Sequence, residues 1–277
     1  MIKEAIFLDN RFLPREEAKI SVLDPGFLYG LGVFETMRFT GKGIVHLARH
    51  FQRLKDGCSA IGLKLPYRAS KLKKIIKEAS FLSGAEDVYL RITIWEAEGR
   101  AGFMLLAKEY KPLPLKKYRE GFSAGVSSLR QDENSSFPKI KSTNRIIYEL
   151  AYRKARKQGF DEALLLNTRG YITEATRSNI FIIKDGRILT PALSCGCLEG
   201  ITRSIIFDLA KRSKIEISEG LVGLQDLYYC DEAFLTNSLM GVMPLTTVES
   251  HKIENRKIGR LTEMFMKKYG NLEKNAV

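Results

Sequence analysis

Four short stretches of this 277-residue chain hold the side chains best suited to chemistry. Lys141 lies in PKIKSTNRIIYEL, after the polar, breaker-rich run SLRQDENSSFPKIK and at the start of an apolar pattern of helical period, Ile146, Ile147, Leu150 and Ala151. A lysine placed where a loop becomes a helix is suited to presenting its amine to a cleft. Alone it is one of 45 lysines and arginines, and a surface role is the ordinary reading. Gly200-Ile201-Thr202 opens a predicted helix in CLEGITRSIIFDLA, where free N–H groups and the helix dipole favour an anion. Arg53, in HLARHFQRL, has forked donors, although a polar-face arginine is the default. Glu174 and Asn179 share GYITEATRSNIFIIKDGRILTP; by itself Glu174 is a surface glutamate in a turn. Cys195-Gly196-Cys197 lacks metal-ligand spacing, and the histidines are only His46, His50 and His251, so no metal site is expected.

These residues need elements to position them. Residues 46–62 and 70–83 read as amphipathic helices, and 88–95 and 102–107 as strong strands. Composition shifts across KEYKPLPLKKYREG (108–121), the best linker candidate, giving domains over 1–118 and 119–277. Beyond it come a strand over 122–128, a helix from Lys141 to about residue 158, and strands over 163–167, 179–184 and 187–189. A helix over 201–212, strands over 215–218, 232–236 and 242–248, a short helix over 223–229 and a terminal helix over 256–269 complete an α+β chain with mixed sheets. The formal charge of +13 sits in stretches such as KLKKIIKE and YRKARKQ, which read as solvated faces of amphipathic helices. A basic nucleic-acid-binding protein is the alternative from a different class, but no nucleic-acid-reading signature accompanies the charge. No apolar run is long enough to span a bilayer and the N-terminus lacks a signal-peptide core, so neither membrane nor nucleic acid is an expected partner and the expected compartment is cytoplasmic.

Read together, IKSTNR, the Glu-x-x-x-x-Asn-Ile-Phe run, Gly-Ile-Thr-Arg and HLARHFQRL resemble the class IV aminotransferases across essentially the whole chain. These are the fold-type IV enzymes dependent on pyridoxal 5'-phosphate (PLP), a family that includes branched-chain and D-amino acid aminotransferases and 4-amino-4-deoxychorismate lyase. The resemblance implies a two-domain α+β fold of the D-amino acid aminotransferase type. Its smaller N-terminal domain carries the phosphate arginine, Arg53, and its larger C-terminal domain carries the PLP lysine, Lys141. Lys139 competes for that role but misses the lysine-x-x-asparagine spacing that Lys141 makes with Asn144. By the same resemblance Glu174 faces the pyridine nitrogen, where a carboxylate favours the protonated ring that serves as an electron sink. Gly200, Ile201, Thr202 and, less directly, Asn237 and Ser238 serve the phosphate, and Leu198 packs on the ring. Family members are typically homodimers acting on small amines or amino acids.

The reaction divides the resemblance. TNSLMGVMPL and IKSTNR are similar to the lyase, and Thr36, in VFETMR, falls on a threonine implicated in its proton transfers. That reading expects elimination of pyruvate to give 4-aminobenzoate, with Lys141 and Thr36 catalytic. Tyr89-Leu90-Arg91 resembles the branched-chain enzymes, and WEAEGR (95–100) replaces the Arg-Gly with which the lyase and D-amino acid enzymes grip a carboxylate. Arg100 is the substitute there, with Tyr29, Arg38, Tyr89, Arg91 and Leu239 as further substrate-side candidates. Arg38 falls on a position shared in type by both, and Arg177 is bulkier than expected between Glu174 and Asn179. The balance favours the lyase, with an amino acid transaminase using 2-oxoglutarate as the alternative.

Overall fold

The computed structural model describes residues 4–253 and 258–274. They form two compact units. The first holds the chain up to Lys111, with Ile140–Asn144 and the end from Leu272; the second holds Pro112–Lys139 and Arg145–Asn271. The expected boundary at 118/119 gives way to one at 111/112, and Lys141 belongs to the first unit rather than to the C-terminal one.

The first unit contains β1 (Glu4–Leu8), β2 (Arg11–Leu13), α1 (Pro25–Leu28), β3 (Gly32–Phe39), α2 (Leu47–Ala60), α3 (Ala69–Ser83), β4 (Val88–Ala97) and β5 (Arg100–Glu109). Its five-stranded sheet runs β2-β1-β5-β4-β3, every pair antiparallel. Tight hairpins set the register: Asp9-Asn10 and Glu98-Gly99 both take positive φ, the geometry of a turn matched to strand twist. Alternation in β4 buries Val88, Leu90, Ile92 and Ile94 on one face. Leu54 and Cys58 of α2 and Leu72, Ile75, Ile76 and Ala79 of α3 share that core. The opposite face carries Phe34, Thr36 and Arg38 of β3 beside Thr93, Arg91 and Tyr89 of β4, pair by pair.

The second unit contains α4 (Leu115–Glu120), β6 (Phe122–Gln131), α5 (Ile146–Lys157), β7 (Glu162–Asn167), β8 (Ile172–Ala175), β9 (Asn179–Lys184), β10 (Arg187–Pro191), α6 (Ile201–Arg212), β11 (Ile217–Gly220), α7 (Leu224–Tyr228), β12 (Glu232–Asn237), β13 (Gly241–Val248), β14 (His251–Lys252) and α8 (Arg260–Lys274). Its nine-stranded mixed sheet runs β11-β10-β9-β12-β13-β6-β7-β8, with β14 on β13. β6 lies parallel to both β7 and β13, and β10 parallel to β11. β7 and β13 are buried along their whole length, as strands covered on both faces must be.

Three helical expectations shift. The helix expected at Lys141 begins at Ile146, because 140–144 is extended against β3. Phe34 N–H donates to Lys141 O at 2.9 Å and Thr143 N–H to Gly32 O at 2.8 Å, which commits backbone groups a helix would need. Second, the helical apolar pattern does not mark the buried face of α5. Ala151 and Ala155 are buried, whereas Ile146, Ile147 and Leu150 are exposed. Third, the terminal helix spans Arg260–Lys274, and residues 256 and 257 of the expected one lie outside the described residues. No helix among the described residues is long and apolar enough to cross a membrane.

Candidate active site

In the first unit, the extended segment Ile140–Asn144 fixes Lys141 beside the edge of β3. Its ammonium lies 4.7 Å from the centre of the Phe34 ring, and the Arg91 guanidinium lies 3.8 Å from the same ring. The quadrupole of one buried aromatic thus holds two cations. Arg91 also donates through Nε to Thr93 Oγ1 at 3.3 Å. Thr36, in register with Arg91, lies on the same strand face as Phe34. Thr143 Oγ1 donates to Gly30 O at 2.9 Å, tying the lysine segment to the chain just before β3.

On the other face of β3, Glu35 is 1% exposed and accepts from Arg53 Nε at 2.6 Å and Nη2 at 2.9 Å. His50 Nδ1 lies 2.8 Å from Oε2, the oxygen it shares with Arg53 Nη2. α2 makes this possible: His50 and Arg53 are three residues apart, hence on one helix face. Burial opposes the Glu35 charge, but Arg53 and His50 outweigh it together and hold the carboxyl at about 2. Burial keeps His50 below its usual value, with Arg53 and Lys141 adding positive repulsion. We therefore read a neutral His50 donating Nδ1–H to an ionised Glu35, whose ionic partner is Arg53. Arg53 is thus a guanidinium oriented by a buried carboxylate. Sequence reasoning named Arg53 and missed Glu35; the signal was the glutamate on a β-strand whose buried face is otherwise apolar.

In the second unit, Glu174 of β8 is 4% exposed. Tyr148 Oη donates to its Oε1 at 3.0 Å, while Asn179 Nδ2 and Leu198 N–H reach Oε2 at 3.3 Å each. Asn179 Nδ2 also donates to Leu198 O at 2.8 Å. A single amide thereby joins the carboxylate to the segment entering α6. Gly200 is the N-cap of that helix, and a Cβ there would sit 2.0 Å from Asn179 Oδ1, so only glycine lets the helix start so close. Ile201 and Thr202 form the first turn, both buried, with Thr202 Oγ1 3.5 Å from Tyr269 Oη. Tyr148, on α5 with the Arg145 guanidinium 3.6 Å from its ring centre, was not legible from sequence: a tyrosine at a helix start carries no signal of a carboxylate partner.

The remaining candidates divide. Asn237 ends β12, and Ser238 and Leu239 lie in the turn to β13, where Asn237 Oδ1 accepts from Leu239 and Met240 N–H and Nδ2 donates to Arg177 O at 3.2 Å. Arg177 itself stacks on Tyr152, 3.7 Å from the ring centre, and pairs with Glu149 at 3.2 Å, which accounts for its bulk: it packs on α5. Arg38 is gripped by Asp87 through Nε at 2.7 Å and by Glu273 through Nη1 at 3.1 Å, an ion cluster rather than an open arm. Arg100, expected as a carboxylate grip, pairs with Asp9 at 3.0 Å at the surface. Tyr29 is 72% exposed in an apolar surface run with Phe27, Leu28 and Leu31. Tyr89 faces Arg38 across the β3–β4 pair. All four cysteines are buried free thiols, and burial pushes Cys197 up to about 12, an inert setting. No metal-binding cluster occurs among the described residues.

These residues fit a phosphorylated pyridine. The carboxylate suited to a ring nitrogen is buried but ringed by donors. The helix start suited to a phosphate is cleared of side chain by Gly200. Ser178 Oγ and Thr236 Oγ1, buried beside and opposite Asn179 in register, find no hydrogen-bond partner among the described residues, as groups meant for a ligand would.

Among known proteins, the profile of the amino-transferase class IV family matches residues 32–248. A branched-chain-amino-acid aminotransferase from Pseudomonas aeruginosa is 31% identical over 285 residues, covering 96% of this chain and 92% of the relative. A D-alanine aminotransferase from Listeria monocytogenes is 30% identical over 272 residues, covering 93% and 92%. The crystal structure of a branched-chain aminotransferase from the thermophilic archaeon Thermoproteus uzoniensis, with norvaline, superposes with a TM-score of 0.89 at 30% identity, covering 98% of this chain and 95% of that one.

Proposed function

Because this chain belongs to the class IV aminotransferases, a PLP-dependent enzyme family, we propose that it is an amino acid transaminase of the branched-chain type that passes the amino group to 2-oxoglutarate. The observation that carries the reading is the end-to-end similarity to relatives named as aminotransferases, together with Arg91 beside Lys141 on Phe34. A guanidinium one aromatic ring away from the reacting amine suits a substrate carboxylate. The lyase expected from the 237–240 turn and Thr36 is less well supported, since these relatives bear aminotransferase names.

PLP, when bound, supplies an electron sink that makes the α-proton of an amino acid removable. Lys141 would hold the cofactor through its amine, and that amine, once displaced by the substrate's, would take the proton from the amino acid Cα. Glu174 keeps a proton on the ring nitrogen, and Tyr148 and Asn179 hold Glu174 in place. Arg53, oriented by Glu35, and the N–H groups of Ile201 and Thr202 serve the phosphate, and the 237–239 turn is assigned to the same group. Leu198 packs on the ring. The apolar exposed residues Phe27, Leu28 and Tyr29, and Ile146, Ile147 and Leu150 of α5, support burial in a homodimer.

The test is a panel. One portion of purified protein loaded with PLP is reduced with borohydride and mapped, and a separate unreduced portion is assayed for 2-oxoglutarate-dependent transfer from L-leucine, L-valine and D-alanine and for pyruvate release from aminodeoxychorismate. Label on Lys141 and transfer from the branched-chain substrates are expected. Label on Lys139 would refute the lysine assignment. Transfer from D-alanine alone, or pyruvate release without transfer, would refute the substrate reading.

A further inference from the structure

Glu162 opens β7 and is 3% exposed, yet none of the roles above uses it. Its Oε1 accepts from the Thr176 hydroxyl, and its Oε2 accepts from Arg177 N–H at 3.1 Å. Thr176 and Arg177 belong to the turn between β8 and β9, which Ala175 N–H closes on Ser178 O at 2.8 Å. Thr176 N–H donates to Ala163 O at 3.0 Å, and Arg145 Nη2 donates to Thr176 O. Glu174 immediately precedes this turn and Asn179 immediately follows it. Asn179 in turn holds both the Glu174 carboxylate and Leu198 O.

We propose that Glu162 is a positioning residue for the cofactor site: its carboxylate clamps the 175–178 turn and so fixes Glu174 and Asn179 at their working separation, the clamp being tightest when Glu162 is ionised. The proposal rests on the assignment of Glu174 to the cofactor ring. The charge is what varies. Burial raises the Glu162 carboxyl to about 7 against the opposing pull of Thr176, Arg177 and Arg145. Among the described residues, the charged groups that act on it are Arg177 on the turn, with Glu149 of α5 as its partner, and Arg145 at the start of α5; Asp161, its neighbour in sequence, pairs with Lys117 and Arg156. An ionised Glu162 receives two charge-assisted hydrogen bonds; a protonated one has only neutral bonds and must turn the Thr176 hydroxyl round. Opening the turn leaves Glu162 buried and removes the Thr176 and Arg177 donors that pull its carboxyl down, so ionisation near 7 favours the closed turn as pH rises.

Apoprotein titrated with PLP between about pH 6 and 8.5, spanning the Glu162 titration, gives the dissociation constant as a function of pH for wild type, Glu162→Gln and Thr176→Val. Affinity of the wild type is expected to rise about tenfold more across this range than that of Glu162→Gln, the difference between charge-assisted and neutral bonds. Phosphate and cofactor titrations are common to both proteins and cancel. Thr176→Val, which keeps the carboxylate but removes a donor that lowers its pKa, moves the midpoint to higher pH. A readout free of cofactor is hydrogen exchange at the Arg177 amide in the apoprotein at about pH 8, above the Glu162 titration, expected to quicken in Glu162→Gln. Identical pH dependence in wild type and Glu162→Gln, or unchanged Arg177 exchange, overturns the clamp. Full turnover by Glu174→Gln would refute the cofactor assignment on which the positioning role rests, while faster Arg177 exchange would still support the clamp itself.

Discussion

Replacing Glu35 by glutamine removes the charge from a buried ionic pair and keeps its shape. The folded structure holds this carboxyl at about 2 against an ordinary 4.5. At about 1.4 kcal/mol per unit, that displacement represents roughly 3 kcal/mol of stability, within the roughly 3–5 kcal/mol cost of breaking a buried pair. A depressed carboxyl contributes fully above its unfolded value and loses the contribution as pH falls through the folded one. The window is therefore pH 4.5 down to about 2. At about pH 3, half or less of the effect survives. Arg53 would be left with its guanidinium beside a neutral amide, and His50 would keep only a neutral acceptor. Trp95, the single tryptophan, lies on β4 of the same unit, buried and donating to Asp24 Oδ2 at 2.8 Å, so its fluorescence reports unfolding where the change is made. Urea denaturation of the apoprotein at neutral pH and at about pH 3 measures the difference. A loss below about 1 kcal/mol at neutral pH, or a loss that stays constant into acid, would refute the ionic reading of the pair.

Three further outcomes are expected. Glu174→Gln retains bound cofactor but slows proton removal from the amino acid by about 100-fold, followed as the first half-reaction in stopped flow. Gly200→Ala drives a methyl group into Asn179 Oδ1 and lowers stability by about 1–3 kcal/mol while weakening PLP binding, measured by thermal unfolding and equilibrium titration. Arg38→Ala leaves Asp87 and Glu273 without their shared cation and lowers stability by about 2 kcal/mol with KM unchanged, so a raised KM would restore the substrate role for Arg38.

The α+β class, most strands and helices, and the family follow from local reading of the chain. Period-two runs such as VYLRITIW and period-3.6 runs such as 46–62 set those elements locally, because side-chain direction follows from backbone type alone. The motif residues Lys141, Glu174, Gly200 and Arg53 were legible for the same reason: each lies in a stretch whose residue types and spacing can be read within a few neighbours. Long-range pairing was not legible. Lys141 sits on an extended segment rather than a helix because β3, far earlier in the chain, offers its edge. Glu35 chooses Arg53 and His50 only because a strand face meets a helix face. The carboxylates of Glu35, Glu162 and Glu174 are identical in composition, and burial with different partners makes one an ionised anchor, one a group that titrates near neutrality and one the proposed ring partner. Sequence supplied the functional groups; desolvation and cross-element hydrogen bonds, which exist only in the folded chain, decided what each is able to do.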